Sequence, residues 1–166
     1  MRLKLLIIFS FFIFPFSFVN PQTAAELDRM LETKAVTVGQ AARFAMGAAG
    51  LVPEWLSGTA AETTAHEAAQ MRGFIKGEPE DAITLQDMAF LLVNIFEIKG
   101  GLVYKLFPNP RYAYREMIYR RLIQGRSYWN MELDGPRFLQ ILGRTLNYTG
   151  ERERMDALLT QGGAYR

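Results

Sequence analysis

The chain has 166 residues, 49% of them hydrophobic, a formal net charge of +2 and no cysteine. Its length suits one ordinary domain, and the missing thiols exclude disulfide scaffolds, cysteine nucleophiles and thiolate metal sites. A single histidine leaves any zinc site at most one imidazole, so composition points away from most hydrolase and metalloenzyme chemistry.

The chain opens on Met1-Arg2-Leu3-Lys4, a short basic start, followed by an apolar run from Leu5 to Val19 broken only by Ser10, Pro15 and Ser17. A charged n-region before an h-region of this kind predicts a secretory signal over residues 1–22, transiently in the membrane during export. Pro15 and Asn20-Pro21 cut the run short of the roughly 20 apolar residues a spanning anchor needs. Charge then divides the remainder. Thr23 to Ile98 carries five basic and eleven acidic residues, whereas Lys99 to Arg166 carries twelve and six. Such an asymmetry either steers a partner or draws the two halves together.

Apolar residues recur at helical spacing after three capping residues. Thr37 with Gln40 has the S/T-x-x-E/Q spacing of a capping box, Thr84 with Asp87 is a weaker version, and Asp134 caps alone because Arg137 cannot accept a hydrogen bond. The stripes behind them are Ala41, Phe44, Ala45 and Ala48; Met88, Leu91, Leu92, Ile95 and Phe96; and Phe138, Ile141, Leu142 and Leu146. Helices over Ala24–Leu31, Ala60–Met71 and Tyr112–Ile123 precede the three caps and are the expected covers of those stripes. Gly50, Gly100 and Gly150 are the expected stops. No run alternates with period two, so the expected class is all-α. Three helix-loop-helix units fill about 23–52, 60–103 and 110–150, and residues 151–166 form a short terminal helix and tail.

Two further strings support a repeat. Met71-Arg72-Gly73-Phe74-Ile75-Lys76-Gly77 and Arg120-Arg121-Leu122-Ile123-Gln124-Gly125 both close a helix with an apolar step and a glycine, then lead through a polar loop to the next cap. From Ala24 to Thr149 this pattern resembles the S-layer homology repeat, three copies of which form a compact helical domain in exported bacterial proteins. The resemblance implies that fold and a place at the bacterial cell envelope or in the periplasm. The arginine that the family sets just after its cap, toward anionic wall glycan, is Val38, Leu85 and Gly135 here.

Catalytic patterns are sparse. His66-Glu67 begins an H-E-x-x-H motif, but Gln70 stands where the second ligand belongs, and a surface histidine on an alanine-rich helix is expected instead. Ser57 and Ser127 lack a G-x-S-x-G elbow, and no phosphate-binding glycine loop is present. Glu78, Glu80 and Asp81 offer paired carboxylates in a loop beside Pro79, where solvent would keep them ordinary acids. The expected protein is therefore a non-enzymatic binding or structural module without cofactor or metal. Its alternative is a small carboxylate-dependent hydrolase of cell-wall glycan.

The densest chemistry lies between Tyr104 and Trp129, where arginines alternate with aromatic rings. Arg111, Tyr112, Arg115, Arg120, Arg126, Tyr128 and Trp129 are the candidate partner-binding residues. Guanidinium forks take phosphate or carboxylate at two points and flat rings stack on sugars. Export disfavours nucleic acid, which leaves an acidic envelope glycan or envelope protein as the expected partner. Glu116 and Arg120, one turn apart, are expected to pair on the helix surface.

Overall fold

A computed structural model describes residues 21–53 and 55–162 of the chain. Its helices are α1 (Pro21–Glu32), α2 (Val38–Ala48), α3 (Gly58–Met71), α4 (Leu85–Ile95), α5 (Leu102–Leu106), α6 (Pro110–Tyr119) and α7 (Gly135–Gly162). Pairing of extended backbone among the described residues is confined to two isolated antiparallel bridges, Thr37 with Ala82 and Thr84 with Glu132. The chain is thus all-α. No helix among the described residues is long and apolar enough to cross a membrane. The apolar leader, Leu5–Val19, lies outside them.

The three caps form where their side chains demand. At α2 the Thr37 hydroxyl accepts from the Gln40 N–H at 3.2 Å, and the Gln40 carbonyl accepts from the Thr37 N–H at 3.1 Å, a complete capping box. At α4 the shorter Asp87 side chain takes the Thr84 hydroxyl instead of the cap backbone, and the return bond from the Asp87 N–H is long, 3.4 Å. At α7 the Asp134 carboxylate accepts from the Arg137 N–H at 2.8 Å.

Main-chain bonds tie the cap segments together. Val36 N–H donates to Leu133 O at 2.8 Å and Ile83 N–H to Val36 O at 2.9 Å. One residue past each cap, Val38 donates to Asp81, Leu85 to Met131 and Gly135 to Thr33. Val36, Ile83 and Leu133 are all buried, so this junction of three caps sits in the core. It satisfies backbone groups that would otherwise be orphaned beside apolar side chains.

Four helices stop by one geometry. After α2, α3, α4 and α6 a residue with positive φ is followed by the long bond of a Schellman turn, with Leu51 donating to Met46, Phe74 to Ala69, Ile98 to Val93 and Leu122 to Met117. Gly50 and Gly73 fill the left-handed position after α2 and α3, as their sequence suggests, but Glu97 (φ 47°) and Arg121 (φ 58°) fill it after α4 and α6. Gly100 is consequently not the stop of α4, and the helix expected to reach Ile123 ends at Tyr119. Gly150 ends nothing either. α7 runs through Gly143 and Gly150 to Gly162 in place of a separate terminal helix, because glycine inside a helix costs only about 1 kcal/mol against alanine.

The packing partners differ from expectation. α2 lies mainly against α3 and α4 against α6, each a helix later in the chain, while α7 closes the circuit on α1. The expected cover was the preceding helix. The reason is visible at α2 and α3, where Ala41, Ala42 and Ala45 face the stripe Ala61, Ala65, Ala69 and all six are fully buried. Two alanine faces allow a close approach that larger side chains would block. α4, buried at Leu85, Met88, Ala89, Leu91, Leu92, Val93 and Ile95, is apolar nearly all round and so occupies the centre.

Candidate functional site

α6 starts at Asn109, whose side-chain oxygen accepts from the Tyr112 N–H at 3.1 Å, with Pro110 in the first turn. That start sets the phase of the whole helix. Ala113 and Met117 turn into the core, which leaves Arg111, Arg115 and Tyr119 outside. The loop after α6 returns the remaining aromatics to the same region. The Arg111 guanidinium carbon lies 4.8 Å from the Trp129 ring centre, Arg115 5.9 Å from Tyr112 and Arg126 5.9 Å from Tyr128. Six of the seven candidate residues therefore form three cation–π pairs.

The loop is held, not loose. The Tyr114 hydroxyl reaches both Ser127 O and Ser127 Oγ at 3.2 Å. Gln86 N–H donates to Trp129 O at 2.9 Å, fastening the loop to the start of α4. Arg137, which sequence reasoning passed over except as a poor cap partner, donates to Arg126 O at 2.8 Å and to Met131 Sδ at 3.2 Å. Its role carried no local signal, since its partners lie six and eleven residues upstream.

Arg120, the seventh candidate, is used internally. It pairs with Glu116 as the spacing implied, donates to Lys99 O, and its Nε reaches the Tyr148 hydroxyl at 3.3 Å. Burial alone would lower its pKa, but the bonds to Tyr148 and Glu116 together raise it, so the cation is secure. Glu116 in turn accepts from the Gly101 N–H at 2.8 Å and so fixes the start of α5. Arg120 is thus a strap that ties α6 to α7 and to the loop between α4 and α5 rather than an outward-facing group.

Beside this strap, Val103, Tyr104, Tyr112, Arg115, Glu116 and Tyr119 line a shallow pocket of about 210 Å³. The Tyr104 hydroxyl is buried without a hydrogen-bond partner in the geometry, as the nearby Asn94 amide donates to Phe90 O instead. Burial raises the phenol pKa, Asn94 opposes the shift and Glu116 adds to it.

The other sequence candidates lie elsewhere. Thr37, Gln40, Thr84, Asp87 and Asp134 are committed to helix caps. Glu78, Glu80 and Asp81 are exposed, and the Asp81 carboxylate accepts from the Glu78 N–H at 2.9 Å. His66, expected on the surface, is buried at 5% exposure, with Nε2 3.0 Å from Gly77 O. The imidazole satisfies the turn carbonyl, so it ties α3 to the acidic loop. A second acidic site was not anticipated. Glu26 pairs with Arg43 at 3.4 Å and accepts from the Gly58 N–H, and nearby Glu62 has its pKa raised by burial, then by the Glu26 charge, with Arg43 opposing.

Comparison with known proteins finds no family model, no curated relative and no solved structure that matches this chain.

Proposed function

We propose that the protein is an exported, non-enzymatic module of three S-layer-homology-like units that attaches to an acidic component of the bacterial envelope. The observation that carries the reading is the set of three arginines stacked on aromatic rings along α6 and the loop after it, a loop fastened by main-chain bonds. Stacking holds each guanidinium in place while leaving its edge open to a carboxylate, sulfate or phosphate, so little ordering entropy remains to be lost on binding. The units themselves are supported by the junction of three caps and by the matching turns after Gly73 and Arg121. The lost arginine at Val38, Leu85 and Gly135 moves the reading away from the family's grooves and onto α6 and its loop.

The test is capture of purified wall glycan and of lipid-free envelope protein by the full chain and by an Arg111→Ala, Arg115→Ala, Arg126→Ala variant. Capture of one of these should fall at least about tenfold in the variant, because several oriented charges are lost from one contact surface. Unchanged capture would make the stacked arginines merely structural. Cleavage of wall glycan that depends on Glu78, Glu80 and Asp81 would replace the reading with the hydrolase.

A further inference from the structure

α5 is an anomaly in this fold. It is five residues long, and of Leu102-Val103-Tyr104-Lys105-Leu106 only Tyr104 is buried. Leu102, Val103, Leu106 and the following Phe107 are 79%, 51%, 71% and 63% exposed, and Tyr119, which shares the pocket with Val103, is 84% exposed. Isolated exposed leucines are ordinary, but five large apolar side chains on one short helix and its neighbour form a patch that marks an interaction surface. The helix is not held out by accident. Buried Tyr104 anchors one side, and Glu116 grips the Gly101 N–H at its start.

The charges around the patch decide its occupant. Lys105 on α5 and Arg115 in the shared pocket are exposed beside it, Lys99, Arg111 and Arg121 are exposed on the flanking segments, and the one carboxylate between positions 99 and 121, Glu116, is consumed by Arg120 and Gly101. Apolar side chains standing this free of neighbours make a wedge, for which a protein partner must supply a matching groove and a fluid bilayer need not. A wedge flanked by cations is the arrangement by which a peripheral protein enters the interface of an anionic leaflet, apolar groups below the headgroups and cations among the phosphates. We infer that α5, with Tyr119 and the adjoining Lys105 and Arg115, is a docking surface for an anionic lipid bilayer. This goes beyond the proposed attachment site, sharing Arg115 with it while placing the apolar contact on a different element.

The test exploits the absence of cysteine. Leu106→Cys in the full chain accepts a single environment-sensitive fluorophore, and Glu80→Cys in the exposed acidic loop provides the control. With vesicles containing phosphatidylglycerol the Leu106 label should brighten and shift to the blue. With pure phosphatidylcholine it should change little, and the Glu80 label should respond to neither. Phe107→Asp in the labelled chain should weaken the anionic-vesicle response at least about tenfold, as expected for losing one large apolar anchor. Lys105→Ala with Arg115→Ala should weaken it by about fivefold per charge, less so as salt rises.

A Leu106 label silent toward anionic vesicles would overturn the inference, and sedimentation of that chain with them would place binding elsewhere, the apolar Leu5–Val19 run included. The same follows if lipid-free envelope protein, not vesicles, shifts the label. Wall-glycan or envelope-protein capture that survives Phe107→Asp leaves the attachment reading standing whichever way the vesicle experiment falls, so the two fail separately.

Discussion

Glu97 and Arg121 occupy left-handed backbone that Gly50 and Gly73 provide at the matching positions after α2 and α3. A β-carbon there costs roughly 1–2 kcal/mol, of which glycine's greater unfolded freedom returns about half. Glu97→Gly should therefore stabilise the fold by about 0.5–1 kcal/mol, read as a higher midpoint in denaturant melts with unchanged slope. A destabilised variant would mean that the Glu97 side chain contributes more than its backbone costs.

Glu62 makes a second residue-scale case, with a defined sign. Its pKa is raised above 4.5 by burial and Glu26. Between that ordinary value and the raised one the folded chain holds more protons than the unfolded chain, so stability falls as pH rises through the window. Glu62→Gln should leave stability near wild type at about pH 4 and exceed it at about pH 7. Equal melts at both values would show that the Arg43 cation already offsets the burial.

At the scale of elements, local chemistry was legible and long-range choice was not. The caps at Thr37, Thr84 and Asp134 announced three helix starts because a capping bond spans only three residues. The end of α6 was misread because an arginine in left-handed backbone leaves no mark in sequence. α5 was missed outright, as one turn of apolar residues after two glycines has neither a cap nor a period. Partner choice was hidden for the same reason that Arg120 looked like a binding residue. What it touches, Lys99 and Tyr148, is distant in the chain.

The contact of α7 with α1 is the least legible of all and the most sensitive. A β-carbon on Gly135 would lie 1.5 Å from the Met30 carbonyl oxygen, and the Gly135 N–H already donates to Thr33 O at 2.8 Å. Backbone cannot yield as a flexible side chain can. Gly135→Ala should cost about 3 kcal/mol or more, whereas Gly143→Ala, with open space around it, should be neutral or stabilising. Thermal melts of the two variants compare one helix at two positions. Similar midpoints would mean that α7 does not abut α1 at this point.

Across the whole molecule, charge is segregated without an ion pair among the described residues to join the two halves. The ion pairs among the described residues are Arg43 with Glu26, inside the acidic half, and Arg120 with Glu116, inside the basic half. Neither joins the halves. Cohesion instead runs through the buried cap junction and the α4 core, which screening does not touch. Raising salt from about 0.05 to 0.5 M shortens the Debye length severalfold, so anything resting on exposed charge weakens while the core does not. The melting temperature should then move by less than about 2 °C, since a loss of 1 kcal/mol in a chain this size corresponds to roughly 2–4 °C. Over the same range, capture of an acidic partner should fall at least about tenfold. A melting temperature that drops with salt in step with capture would show the two halves attracting each other, and the basic face would then be spoken for within the molecule. Because the free arginines sit on rings rather than on carboxylates, the opposite outcome is expected: a fold indifferent to salt, carrying a surface that is not.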